Sequence, residues 1–473
     1  MRLSDVRSRQ RFVPISILKS FLAVMVLVSA FVSVSSEPSY AIPAFARKYG
    51  LPCSACHIGW PILNVFGQQF RDNGYQLGNE RDSPIYQNPS YWPITFRVTP
   101  QWHLESQTKV AVDPDPTNPG GEQTITTHGF DLSGLDIWTA GTLYKNISFS
   151  VLPSMAEGDP FHFENAWVRF DNLLNSPWLN VKVGKFELDT LLSEKRFLTL
   201  SGVGGAWFNY HFLPPMTIAP YSTDNNGFGG IGDNQIGLEL SGHNKNSYAR
   251  YSIALLSSVD GNPGLTTNGQ ANTARTYDTF INLNEGFQVS GLGVQRVGVY
   301  GYFGQSPTYF LMSGGTPIEA KGNRSFSRVG AYGWWYLKDL DIETLYMHGQ
   351  DNVYLGNGVA TNDPAGLPPG AAGPTWNGGF IEAHYTYNPQ LIFTGRYELV
   401  HMSRQANPTL AATPNLGNVD GWTIGYRWYP IMFSRAGLAF HNEYSQAKTG
   451  NTSTLTGSDQ TIRSVMIGFD FDY

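Results

Sequence analysis

From about Tyr91 to Tyr473, apolar and polar residues alternate in short segments separated by Gly-, Pro-, Asn- and Asp-rich stretches. A period of two marks strands with unlike faces. The cleanest segment is Ile94 to Glu105. Ile94, Phe96, Val98, Trp102 and Leu104 share one face, and Thr95, Arg97, Thr99, Gln101, His103 and Glu105 share the other. The same pattern sets Ile236, Leu238 and Leu240 against Gln235 and Glu239, and Ile381, Ala383, Tyr385 and Tyr387 against Glu382, His384 and Thr386. Trp422, Ile424, Tyr426 and Trp428 likewise oppose Thr423, Gly425 and Arg427. About sixteen such segments can be counted. Loops are expected near 111–127, 259–275, 352–379 and 404–420. Phe186 to Ile231 breaks the pattern; an inward-folded loop would fit it, but the residues alone do not decide.

A soluble sandwich would alternate too. Three details favour a membrane barrel. Aromatics such as Trp334-Trp335-Tyr336 and Trp428-Tyr429 end the apolar faces, as interfacial girdles do. Charges of both signs sit at the centres of the polar faces, tolerable in a wet lumen and costly in a dry core. The chain ends in a strand, with Val465, Ile467, Phe469, Phe471 and a terminal Tyr473 against Gly468, Asp470 and Asp472. The expected fold is all-β, an outer-membrane barrel of about sixteen strands with a small helical module in front of it.

Composition narrows the alternatives. Asp, Glu, Lys and Arg make up 14% of the 473 residues, against about 25% in an ordinary soluble domain. Aromatics are another 14%, which excludes disorder. Mean hydropathy is −0.23, and after residue 41 no run approaches the ~20 apolar residues of a spanning helix. The acidic balance, −6, excludes a nucleic-acid binder.

The N-terminus reads as a secretory signal. Arg2, Arg7, Arg9, Arg11 and Lys19 precede an apolar run from Phe21 to Val34, and Ser39 and Ala41 occupy the −3 and −1 positions of a cut after Ala41. A single spanning anchor is the competing reading, but the run is short for one. Removal of residues 1–41 takes away five positive and two negative charges, moving the net charge from −6 to −9. The expected organisation is 1–41 signal, 42–78 module and 91–473 barrel, placed in the cell outer membrane of a Gram-negative-type bacterium.

The chain's only two cysteines stand in Cys53-Ser54-Ala55-Cys56-His57, the haem c attachment pattern. Two thiols three residues apart lie on one helical turn and can each join a porphyrin vinyl group; the next imidazole then ligates the iron. A disulfide would not explain the adjacent histidine. A zinc half-site lacks its second cysteine pair. A thioredoxin-like pair would need a βαβ context. Cys53, Cys56 and His57 are therefore the expected holders of one covalent haem c, with His57 the proximal ligand. A helix is expected after them, with Pro61 at its first position, an apolar stripe of Ile62, Leu63, Phe66 and Phe70, and a stop at Asn73-Gly74.

From Ile42 to Gly78 there are 37 residues, and chains below ~40 seldom fold unaided. The module contains no Met and no second His, so it must lean on the barrel, and any second axial ligand must come from there. His103, the first later histidine, on the polar parity of the first strand, is the leading distal candidate because it closes the shortest loop. His348, His384 and His441 also fall on expected lumen faces, and Met155, in an expected turn, is the first methionine after the module.

Pro43-Ala44-Phe45-Ala46-Arg47, the haem motif, Pro61, Leu63-Asn64, Phe66-Gly67, Phe70 and Asn73-Gly74-Tyr75 together resemble the N-terminal signature of the fused outer-membrane cytochrome–porins, monohaem c-type cytochromes joined to a β-barrel, as in iron-oxidising bacteria. The specific match covers about 35 residues; the barrel matches in kind and length. The resemblance implies a haem held in or at the mouth of the barrel, passing electrons across the outer membrane.

Three functions fit. The first carries electrons from an extracellular donor, with Fe(II) implied by the resemblance, to a periplasmic carrier such as a soluble cytochrome; in enzyme terms this is oxidoreductase chemistry. Lumen carboxylates such as Glu105, Glu239 and Glu382 would attract a hard cation, or merely wet a channel. The second is a diffusion porin with a structural or sensory haem plug. The third is a haem enzyme with an open sixth position.

Overall fold

The computed structural model describes residues 43–59, 61–77, 94–112, 121–155, 160–191, 198–199, 231, 234–257, 277–307, 311–313, 316–318, 323–350, 373, 375–404, 415, 417–432, 437–450 and 456–472. The expected signal, residues 1–41, lies outside them.

Sixteen antiparallel strands form a closed barrel. Each pairs with its neighbours in sequence, and the last, Gln460–Asp472, pairs with the first, Ile94–Ala111, to close it. Closure leaves no unpaired edge, the condition for crossing lipid with strands. The polarity is the reverse of a soluble protein's. Ile253, Leu255, Leu283, Val299, Ile381 and Ile424 point outward, each 42–55% exposed. Glu239, Asp278, Arg328, Glu343, Glu382 and Asp470 point into the bore, each 2% exposed or less. No helix among the described residues is long and apolar enough to cross a membrane. An apolar belt around a charged bore is the arrangement of the outer membrane, and that is where the barrel sits.

The two ends differ. At the end where Ile94–Ala111 begins, connections are tight, such as Lys145-Asn146 and Lys338-Asp339. At the other end they are long, spanning 258–276 and 351–374. Short turns mark the periplasmic side and long loops the extracellular side.

Several expectations need correction. Strands run further into the expected loops: Glu122–Tyr144 starts inside 111–127, where β-branched Thr124, Ile125, Thr126 and Thr127 favour extension. Likewise Thr375–Asn388 starts inside 352–379 and Val419–Met432 inside 404–420. Met155 ends a strand, Ile147–Met155, and is not in a turn. The aromatic runs do not line one face, because adjacent strand residues point oppositely. Trp334 stacks with Tyr336 at 5.5 Å on the bore side, and Tyr429 is buried while Trp422 faces out. His348 falls on the outward parity, since Asp341, Glu343, Leu345 and Met347 are the buried set of its strand. His384 and His441 face the bore as expected.

The segment after Phe186 turns into the bore. Leu188, Leu191 and Leu198 are buried. Leu198 N donates to Glu382 Oε1 at 3.4 Å and Thr199 Oγ1 to Glu382 Oε2 at 3.3 Å. Strand Thr375–Asn388, which carries Glu382, lies seven places around the barrel from Asn180–Phe186. The segment thus crosses from one wall almost to the opposite one.

Candidate functional site

The module is three short helices, α1 (Pro43–Tyr49), α2 (Cys53–Cys56) and α3 (Val65–Asp72), with a small hairpin, His57–Gly59 against Ile62–Leu63. Pro61 stands in the hairpin turn, and the expected helix start there is corrected to Val65. Asn64 is the stronger signal because its side chain accepts from Gly67 N at 2.9 Å, an N-cap. Asn64 Nδ2 also donates to the carbonyls of Ser54 and Ala55, at 3.1 and 3.0 Å, and Asn64 N to that of Cys56 at 2.9 Å. One residue thus starts α3 and holds the cysteine turn. The stripe divides accordingly: Ile62 and Phe70 are buried, while Phe66 is exposed. Gly67 lies so close to α2 that a Cβ there would collide with the Cys56 carbonyl. The stop at Asn73-Gly74 is as expected, with Gly74 at φ +79°.

This module sits in the bore at its short-turn end. Phe45 meets Trp138 edge-on at 5.7 Å and stacks on Tyr75 at 5.2 Å; Tyr75 in turn stacks on Trp167 at 6.2 Å. Arg250 grips Asp72 with two hydrogen bonds, Nε to Oδ2 at 2.9 Å and Nη2 to Oδ1 at 3.0 Å. Arg169 Nη2 donates to the carbonyls of Arg71 and Asp72, both at 3.0 Å, capping the end of α3. Gln69 reaches the turn carbonyl of Asn246 at 2.8 Å. On the far side a Cβ at Gly59 would lie 2.7 Å from Ile392 Cδ1. Burial alone would raise the Asp72 carboxyl, but Arg250 and the other charges beside it hold it well below the usual carboxylate range.

A cavity of about 200 Å³ lies between module and wall. Cys56, His57, Phe45, Leu63 and Phe70 line it from the module, and Trp138, Trp167, Lys182 and His243 from the barrel. Burial pushes the His57 imidazole down to about 4, outweighing hydrogen bonds to the backbone of Ile62 and Pro61. The ring is therefore neutral at ordinary pH, the form that binds metal. Burial also pushes the Cys56 thiol up to about 11. The side chain of Cys53 lies outside the described residues. His243 Nδ1 is 2.9 Å from the carbonyl of Asn244, and its Nε2 is buried without a hydrogen-bond partner.

His103 is on the bore face of its strand, 2.8 Å from Ser464 Oγ. It is six residues beyond Arg97, which lines the cavity, or roughly 20 Å along an extended strand. His243 has the same inward parity as Gln235 and Glu239, so the sequence pattern contained it; closeness in the chain favoured His103 instead. Of the carboxylates expected to wet the lumen, Glu239 is bonded to Lys182 at 2.6 Å and Glu382 to Arg396 and His384.

The chain is a porin-like barrel of the outer membrane. No family model matches it, and no curated protein does. Among solved structures, the anion-selective porin from Comamonas acidovorans has 11% identity and a TM-score of 0.46, over 80% of this chain and 99% of that one. OmpF of Salmonella typhi, in complex with daunomycin, has 8% identity and a TM-score of 0.46, over 80% and 97%. A loop-deletion form of OmpT from Vibrio cholerae has 13% identity and a TM-score of 0.42, over 80% and 99%. At such scores the likeness adds nothing to the strand pairing, on which the fold stands by itself.

Proposed function

We propose that the protein is an outer-membrane c-type cytochrome of the fused cytochrome–porin kind, carrying electrons between an extracellular donor, Fe(II), and a periplasmic carrier such as a soluble cytochrome. The observation that carries this reading is that Cys56 and His57 open onto one cavity inside a membrane barrel, walled by both module and strands. The donor set fits a haem c. The cavity wall is largely aromatic and apolar on the module side, His57 is kept neutral, and the buried Nε2 of His243 is an acceptor still to be used. Cys53 and Cys56 would carry the thioethers and His57 the proximal bond. His243 is a better distal candidate than His103. A haem bound there supplies a one-electron couple in a medium that backbone polar groups can cross only as helix or closed barrel. The module's residues orient it: Asn64 fixes the cysteine turn, and Arg250 and Arg169 fix α3 to the wall.

Expression with a working c-type maturation system should give a coloured outer-membrane protein with one covalent haem by pyridine haemochrome. Cys56→Ala should lower covalent attachment, and His243→Ala should change the absorption spectrum and reduction potential while His103→Ala does not. A colourless wild-type protein would end the proposal.

A diffusion porin with the module as plug is the second reading, favoured by the charged bore of the barrel itself. Against it, bore-facing Phe280, Tyr302, Phe326 and Trp376 are each 4% exposed or less. That arc of the wall is covered by protein and is not lined with water. Rapid solute swelling of proteoliposomes would favour this reading.

A further inference from the structure

The bore holds a second constellation that the haem motif does not use. Strands Leu340–Gln350, Thr375–Asn388 and Leu391–Arg404 are consecutive neighbours. Their inner faces bring together Asp341, Glu343, Glu382, His384, Arg396 and Glu398, all buried. Glu343 directly opposes Glu382, and Asp341 opposes His384. Four carboxylates thus face one guanidinium and one imidazole. Arg396 is ion-paired with Glu382 and, at 3.6 Å, with Glu398. Glu343 is fully buried, and neither of its oxygens has a hydrogen-bond partner. A buried carboxylate left in that condition is costly, and a cation between it and its neighbours removes the cost.

The geometry supplies the seat. Ligand atoms of Asp341, Glu343 and His384 all lie within 4.8 Å of one another, near the spread of donors around a cation with bonds of about 2.0–2.2 Å. His384 Nδ1, 2.7 Å from Asp341 Oδ2, faces the trio. Its other nitrogen is 2.6 Å from Glu382 Oε1, and Glu382 is held by Arg396. A cation seated there would take the place of the proton that His384 Nδ1 shares with Asp341, while Glu382 braces the other nitrogen, the usual carboxylate support behind a metal-bound histidine.

We propose that Asp341, Glu343 and His384 bind one first-row divalent transition-metal cation in the bore. An imidazole beside two carboxylates suits Mn(II), Fe(II), Co(II) or Zn(II) better than Ca(II) or Mg(II). The seat adjoins the module. Gly59, two residues after His57, packs against Ile392. Ile392 is one inward step, about 7 Å, from Thr394, which opposes His384. Use of the seat as a station for a donor cation rests on the electron-carrier reading; binding of the cation does not.

The test is titration of purified full-length protein in detergent, stripped with chelator, with Mn(II) followed by electron paramagnetic resonance. One saturable equivalent is expected, with pulsed spectra showing nitrogen coupling from an imidazole. Glu343→Gln should weaken binding at least tenfold, while Glu105→Gln, outside the cluster, should not. The heat-dependent gel shift of folded barrels checks each variant. If Glu343→Gln does not fold, the nitrogen coupling in the wild type decides. Absence of saturable binding, binding without nitrogen coupling, or full affinity in folded Glu343→Gln would overturn the proposal. Mn(II) binding in a protein that fails to transfer electrons would uphold the seat and remove the electron-carrier reading.

Discussion

Asn64 shows how one side chain can set a local structure. It caps α3 through Gly67 N and clamps the carbonyls of Ser54 and Ala55. Asn64→Ala should cost about 1 kcal/mol for the cap alone, and it should also loosen the cysteine turn, read as faster limited proteolysis of the module. Asp72 gives a pH dependence with a definite sign. Its docked carboxyl lies below the usual range, so its contribution is complete above the free value of about 3.9 and drains away as the pH falls from there toward the docked value. The wild-type module should stay protected from trypsin at pH 5–8 and lose protection only in stronger acid. Asp72→Asn should lose roughly 2 kcal/mol of docking already at neutral pH; protection equal to wild type would contradict the role given to the Arg250 contact. The cluster Cys53-Ser54-Ala55-Cys56-His57 stood out in the sequence because three chemistry-bearing residues lie together. The place of His243 on the cavity that His57 also lines was not legible there, because the barrel and not the chain brings the two to one cavity.

The strands were read from their alternation because one face meets lipid and the other the bore, so each position's polarity reports its direction. Where two aromatics stand side by side, as at Trp334-Trp335, composition misleads and parity corrects it. Pro61 misled for a related reason: proline suits both a helix start and a turn, and Asn64 three residues on is the cap that decides. The crossing segment after Phe186 has no period, since its residues pack on bore walls made by distant strands. The facing of a strand can be tested directly. Val299, outward and 53% exposed, replaced by Arg should destabilise the barrel by about 2–4 kcal/mol in lipid refolding titrations, whereas Thr394→Ser on the bore face should be nearly silent.

Across the whole molecule, a module of some three dozen residues is completed by the barrel around it. Trp138, Trp167, Arg169, Arg250 and Ile392 meet it from strands spread around the bore. It adds little core of its own, and its aromatic residues find partners on the wall. Closure of sixteen strands gives the only described route through lipid, and the cavity that Cys56 and His57 share lies within it. Electron passage through that bore is the claim on which the functional account turns. The direct measurement places haem-loaded protein in liposomes that enclose a membrane-impermeant electron acceptor and adds Fe(II) outside. The account predicts reduction of the enclosed acceptor by wild-type protein and a large loss of that rate in His57→Ala; an acceptor that stays oxidised while the haem is intact would contradict it.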